Sequence, residues 1–130
     1  MKVSVVIPSY NTERLLEKNL PVVLAAAKNP KNKIAEVILV DDASPDASAT
    51  LVKRMFPQIK FIRHKINRGF SASVNTGVRG SRGDLICLLN TDVLPEENFL
   101  QAVLPHFENQ KVFAVSLNEG GYSWARGFIK

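Results

Sequence analysis

Tyr10, Asp42 and Asp92 are the side chains of this 130-residue chain whose chemistry asks for a ligand, because each stands at the end of an apolar run. The runs are VSVVIPSYN (Val3 to Asn11), EVILVDDASPD (Glu36 to Asp46) and DLICLLNTDV (Asp84 to Val93). A tyrosine ring offers an apolar face with a wet tip, which suits a nucleobase. One carboxylate can accept a hydrogen bond from a base imide. Another can ligate Mg2+ or Mn2+, which take carboxylate and phosphate oxygens and keep several waters. Two carboxylates and an aromatic ring on one rim suit a metal-chelated nucleotide.

The elements must bring these residues to one rim. Each run has the length of a strand buried on both faces, and each is followed by a helical pattern, so parallel strands are predicted. Parallel strands in an open α/β sheet share a carboxyl edge where ligands bind. The fold expected is α/β, a Rossmann-like, doubly wound and mostly parallel sheet, read as β-α-β-α-β-α-β-α-β without repeats or linkers. Strand one covers 2–9, and a helix over 13–28 carries Leu15, Leu16 and Leu20, kinked or broken at Pro21. Strand two covers 35–41. A helix starts at Ser44-Pro45-Asp46, carries Leu51, Val52, Met55 and Phe56, and stops at Pro57. Strand three covers 60–63, and Asn67-Arg68-Gly69 leads to a helix carrying Phe70, Val74 and Val78. Strand four covers 85–90. Pro95-Glu96-Glu97 opens a helix with Phe99, Leu100, Val103 and Leu104 inward. Strand five covers 112–117, and Glu119-Gly120-Gly121 turns into a tail with Trp124.

Plainer roles stand beside the chemical ones. Asp41 is expected to cap the turn after strand two, and Asp92 could cap a helix near Pro95 as well as bind metal. Gly69 opens a helix whose amides could face phosphate, although neither G-x-x-x-x-G-K-[ST] nor G-x-G-x-x-G occurs here. His64 and His106 are too isolated for a zinc site and are read as surface residues.

Composition narrows the class. One hundred and thirty residues with 45% hydrophobic content make one domain with a real core. The apolar stretch 20–27 is far short of a membrane span, and strand one follows Met1 too closely for a signal peptide. Cys87 is the only cysteine, so an internal disulfide is impossible, and a reducing cytoplasm fits. The net charge of +5 concentrates at Lys60, Arg63, His64, Lys65 and Arg68. Nucleic acid is disfavoured, since no aromatic residues interleave as a stacking platform. A sugar-nucleotide pyrophosphate or an anionic membrane surface fits the charge, as does a solvated face, and peripheral association with the inner face of a membrane follows from the second.

The ordered segments VSVVIPSYN, VDDASPD, NRGFSASVNTG, GDLICLLNTD and PEENFL resemble the N-terminal half of a family 2 glycosyltransferase of GT-A fold. That resemblance implies a nucleotide-diphospho-sugar donor (UDP- or dTDP-linked favoured), Mg2+ or Mn2+, a glycan or lipid-linked acceptor in polysaccharide biosynthesis, and inversion at the anomeric carbon. It implies that Pro8 and Tyr10 line the base with Asn11 beside them, that Asp42 binds the base, and that Asn67 and Gly69 belong to the donor site. Asn90-Thr91-Asp92 takes the D-x-D position, with Asp92 the metal ligand. Asn90 replaces the first acid of that motif. No segment up to Lys130 resembles the one that carries the family's general base, so the chain reads as a donor-binding domain, 1–130, truncated before the acceptor-binding half. On that reading the chain alone performs no transfer and self-associates through an exposed edge. The alternative is a non-catalytic nucleotide-binding or receiver-like α/β module, which would need its acid pair on strand one.

Overall fold

The computed structural model describes residues 1–117. Four parallel strands form one sheet: β1 (Val3–Ser9), β2 (Ile34–Asp41), β3 (Lys60–Arg63) and β4 (Leu85–Leu88), in the order β3-β2-β1-β4. Three α-helices connect them: α1 (Glu13–Lys28), α2 (Ser48–Met55) and α3 (Phe70–Arg79). The sheet is doubly wound. Val3, Val5, Ile7, Val37, Leu39 and Cys87 pack beneath α1 and α2, while Val6, Ile38, Val40 and Ile62 form the core under α3. Strand order reverses between β1 and β4, which is where open α/β sheets take their ligands.

β1 is central and apolar on both faces, as a strand covered by helices must be. Pro8 interrupts no ladder. The Val6 carbonyl accepts from Leu89, so the residue two further on also faces β4, and regular β4 has already ended at Leu88. The missing N–H therefore falls where no strand needs it.

Pro21 does not break α1, which runs through it from Glu13 to Lys28. Its ring is exposed, and the unpaired Glu17 carbonyl belongs to an exposed residue that water can reach. The buried stripe is Leu16, Asn19, Leu20, Val23 and Ala26, with Leu15 turned outward. α2 begins at Ser48 rather than at Ser44-Pro45-Asp46; its N-cap is Ala47, and the Asp46 side chain accepts from the Ser48 amide at 3.0 Å in a turn that precedes the helix. The inward face of α3 is small. Ser73 and Gly77 are buried while Phe70 and Val78 are exposed, since Gly77 lies directly against Val6 and leaves no room for a larger side chain.

Beyond β4 the expected helix from Pro95 is a run of turns followed by a 3-10 turn at Leu104–Glu108. Leu100 and Leu104 are buried, with Phe99 and Val103 packed against the same core, so the inward residues match and the backbone does not. Asparagine side chains explain the difference. The Leu100 amide donates to Asn32 Oδ1 at 3.1 Å, and the Glu97 carbonyl accepts from Asn29 at 3.0 Å and Asn32 at 2.7 Å. Those are groups an α-helix would have paired internally. Residues 112–117 are irregular rather than a fifth strand, so β4 is an edge among the described residues. Glu119, the 119–121 turn and Trp124 lie outside the described residues.

Candidate functional site

The rim is built where β1 and β2 run out side by side. Ser9 pairs with Asp41, and the Asp42 amide donates to the Ser9 carbonyl at 2.9 Å, so Tyr10 and Asp42 leave adjacent strands together. Tyr10 is half exposed, at 49%. Asn11 adopts φ 55°, a left-handed conformation asparagine tolerates, and its amide donates to Ser44 Oγ at 2.9 Å. Ser44 is held in turn by Asp41, whose oxygens accept from the Ser44 amide at 3.1 Å and from its hydroxyl at 2.5 Å. Asp41 therefore caps the turn as expected, with Arg63 Nε 3.2 Å from it. Glu13 and Asp46 clamp the two loops reciprocally: the Glu13 amide donates to Asp46 Oδ2 at 3.1 Å, and the Ala47 amide to Glu13 Oε1 at 2.8 Å. Burial pushes the Asp46 carboxyl up, but its hydrogen bonds from Ser48 and Glu13 outweigh that and hold it below the usual range.

Asp42 is the hub. Its Oδ1 accepts from His64 Nδ1 at 2.7 Å and from the Arg68 amide at 2.8 Å, and its Oδ2 accepts from the Gly69 amide at 2.8 Å. The Asp42 carbonyl accepts from Asn67 Nδ2 at 3.2 Å. Burial of Asp42 pushes its carboxyl up, yet the hydrogen bonds from His64, Arg68 and Gly69 prevail and hold it below the ordinary carboxylate range. The ionised carboxylate makes Nδ1 of His64 the protonated nitrogen, leaving Nε2 2.8 Å from Thr76 Oγ1 on α3. His64 is thus a buried residue, 7% exposed, not a surface one. Gly69 has φ 95°, which a side chain would strain, and it is the residue from which α3 starts. The Arg68 and Gly69 amides that lead into α3 are already turned to Asp42 and are not free for a phosphate.

On the other flank of β1, the chain leaves β4 through Asn90-Thr91-Asp92. Leu89 still pairs with Val6, and the Val93 amide closes a turn onto the Asn90 carbonyl at 3.2 Å. Thr91 is half-buried and its carbonyl accepts from Asn19 Nδ2 at 2.7 Å. Asn90 and Asp92 are exposed, and among the described residues the Asp92 carboxylate accepts no hydrogen bond. With no α-helix following Pro95, Asp92 has no helix to cap there.

Pro8, Tyr10, Asn11, Asp42, Asn67, Gly69, Asn90, Thr91 and Asp92 therefore lie along one carboxyl rim. A concavity of about 500 Å³ opens at the opposite end of the sheet, between Glu36, Pro57, Lys60 and Arg82, and contains none of them. The groups that sequence reasoning missed are His64, Ser44, Thr76 and Asn19. Only His64 carried a signal, being the first residue after a strand that ends at the same rim.

The model of the family described as glycosyl transferase family 2 matches residues 4–127. This chain belongs to that family. It is 30% identical over 129 residues to the uncharacterized glycosyltransferase YfnE of Bacillus subtilis, covering 97% of this chain and 31% of the relative. Among solved structures, the mannosyltransferase PcManGT from Pyrobaculum calidifontis, in complex with GDP-Man and Mn2+, superposes with a TM-score of 0.79 at 27% identity, over 91% of this chain and 35% of that one. TarS 1–349 of S. aureus in complex with UDP-GlcNAc gives 0.70 at 25% identity, over 83% and 31%. The chain spans about a third of the length of each of these three proteins. Family membership and the GT-A neighbours displace the receiver-like alternative. Among the described residues no helix is long and apolar enough to cross a membrane.

Proposed function

We propose that this chain, as a donor-binding domain over 1–130, holds the nucleotide-diphospho-sugar of an inverting, metal-dependent glycosyltransferase. The carrying observation is the shared rim, with a half-exposed tyrosine and a buried carboxylate hub on one flank of β1 and an exposed, unengaged carboxylate on the other. On this reading Pro8, Tyr10 and Asn11 form the shelf for the base. Asp42 has three acceptor positions filled and retains one on Oδ2 for a base imide, since an ionised carboxylate offers about four. Asn67 and Gly69 hold that carboxylate in place, and Asn90 and Thr91 line the ribose and diphosphate.

The fit to Mg2+ or Mn2+ is a partial one. Among the described residues no group of three His, Cys, Asp or Glu side chains could hold a metal. Asp92 as a single carboxylate suits an ion whose other ligands are donor phosphates and water, the usual arrangement for Mg2+ at a nucleotide. When bound there, the metal supplies charge neutralisation for the departing diphosphate. The chain's own contribution is to orient the donor so that an acceptor hydroxyl can approach the anomeric carbon from the side opposite the diphosphate. The resemblance puts the general base in a segment that none of the described residues matches, so transfer by this chain alone is not expected. The acceptor, a glycan or lipid-linked sugar of polysaccharide biosynthesis, belongs to the cytoplasmic side of a membrane on this reading, with Lys65 and Arg68 available to anionic lipid.

UDP- and dTDP-linked donors are favoured. TarS was solved with UDP-GlcNAc and PcManGT with GDP-Man, so likeness to them does not choose the base. A carboxylate accepts from the N3–H of uracil or thymine and equally from the N1–H of guanine, so pyrimidine choice falls to the shelf at Tyr10. Calorimetry with UDP, dTDP, GDP and ADP, with and without Mn2+, tests the assignment. Metal-enhanced binding of UDP or dTDP supports it. Equal affinity for all four, with no metal effect, would sink it.

A further inference from the structure

The chain from Thr91 to Val103 has neither α-helix nor strand, yet it carries the proposed metal ligand. Asparagines from α1 and the turn after it hold this segment. Its far end is fixed at Glu97 and Leu100 by Asn29 and Asn32. Its near end has one side-chain tie to the scaffold among the described residues, the 2.7 Å bond from Asn19 Nδ2 to the Thr91 carbonyl. That carbonyl and the Asp92 amide belong to one planar peptide group, so fixing the carbonyl fixes the direction in which Asp92 leaves the turn.

Asn19 is an odd residue to find there. It is 5% exposed, in the buried stripe of α1 between Leu16, Leu20 and Val23. Its Oδ1 is buried without a hydrogen-bond partner among the described residues. Turning the amide over gives no relief, because Oδ1 would then oppose the Thr91 carbonyl oxygen. A half-satisfied amide in an apolar stripe costs stability. Selection for folding alone would place an apolar side chain at this position.

We propose that Asn19 is a positioning residue for the Asn90–Asp92 turn, holding it set for a metal-chelated diphosphate at a cost in core stability. The functional half of this rests on Asp92 as metal ligand; the positioning half does not. Asn19→Leu keeps the branching at Cγ and removes both polar atoms, and the half-buried Thr91 carbonyl can then turn to water. The melting temperature should hold or rise, while amide exchange at Val93, whose bond to the Asn90 carbonyl closes the turn, accelerates in the ligand-free protein. Calorimetry with UDP should show metal-free affinity unchanged and the Mn2+ enhancement reduced about tenfold or more, the usual scale for losing a group that orients a ligand residue. Asn19→Asp, which keeps the size and loses the donor, should loosen the same amide and lower the melting temperature.

A fall in melting temperature for Asn19→Leu, or failure to fold, would overturn the stability half. Unchanged exchange at Val93 would overturn the positioning half. If wild-type protein shows no Mn2+ effect, the metal reading of Asp92 and the functional half fall together, and the exchange comparison alone decides whether Asn19 positions the turn.

Discussion

Replacing Asp42 with alanine removes the acceptor on which His64, Arg68 and Gly69 converge, and the loss falls on folding before it falls on binding. The side chain is 4% exposed and its three partners lie at 2.7, 2.8 and 2.8 Å. A hydrogen bond to a charged group contributes about 1.5–3 kcal/mol, and stranding a buried donor costs about 1–3 kcal/mol. The three do not simply add. Arg68 is exposed and Gly69 half-buried, so water recovers part of both amides, whereas His64 is enclosed between Asp42 and Thr76. The expected destabilisation is about 2–4 kcal/mol, set mainly by the charge-assisted bond from His64 and the buried Nδ1–H it leaves stranded. That is a large part of the roughly 5–15 kcal/mol that keeps a domain folded.

Urea unfolding should show a lower midpoint for Asp42→Ala with the slope retained. Amide exchange should quicken at Arg68 and Gly69 in particular. The sign with pH follows from the lowered carboxyl. The folded protein binds this proton less tightly than the unfolded chain, so the contribution is complete above the unfolded value, about 3.9. It is lost as pH falls through the lower folded value. The stability gap between wild type and Asp42→Ala should therefore be widest at neutral pH and narrow below about pH 4. A gap under about 1 kcal/mol at pH 7, the scale of one ordinary neutral hydrogen bond, would refute the hub.

Asp92→Ala should abolish the Mn2+ enhancement of UDP binding and leave the urea midpoint within about 0.5 kcal/mol of wild type, as for other surface substitutions; a marked loss of stability would show that Asp92 has a structural partner. Gly77→Ala places a methyl group against Val6 and should destabilise by about 1–3 kcal/mol in the same urea titrations; no effect would mean that α3 can lift off β1 cheaply. The Cys87 thiol, pushed up to about 12 by burial, should resist aromatic disulfide reagents until urea unfolds the chain; rapid native labelling would contradict its burial. Among the described residues the two sheet edges differ, since β3 carries Lys60 and Arg63 while β4 presents Ile86 and Leu88 at 37% and 51% exposure, so self-association is expected through β4 and should yield to Leu88→Lys in sedimentation.

The fold was legible where one periodicity had no competitor. Val5 to Ile7 and Val37 to Val40 are apolar at every position, which leaves only a strand covered on both faces, and the rim follows from parallel pairing. Legibility failed where a side chain outbid the backbone for a hydrogen bond. The turn region from Pro95 has the inward spacing of a helix and buries the expected residues, but Asn29 and Asn32, more than sixty positions earlier, take the Glu97 carbonyl and the Leu100 amide. No window around Pro95 contains that information.

The same distance explains why the residues of the candidate site were legible and their relations were not. Tyr10, Asp42 and Asp92 announce themselves by standing at strand ends. What each can offer a ligand depends on how much of it the protein already uses. Asp42 is committed to His64, Arg68 and Gly69, over separations of 22, 26 and 27 residues, and that leaves it little acceptor capacity. Asp92 has no such commitment among the described residues, and its setting is decided from 72 residues away, where Asn19 meets the Thr91 carbonyl. The two acids should therefore fail differently. Loss of Asp42 unlatches the 64–69 loop and weakens the fold with the site, whereas loss of Asp92 removes only what the site can hold. A binding defect in Asp42→Ala is evidence about the base only when measured on the fraction that remains folded.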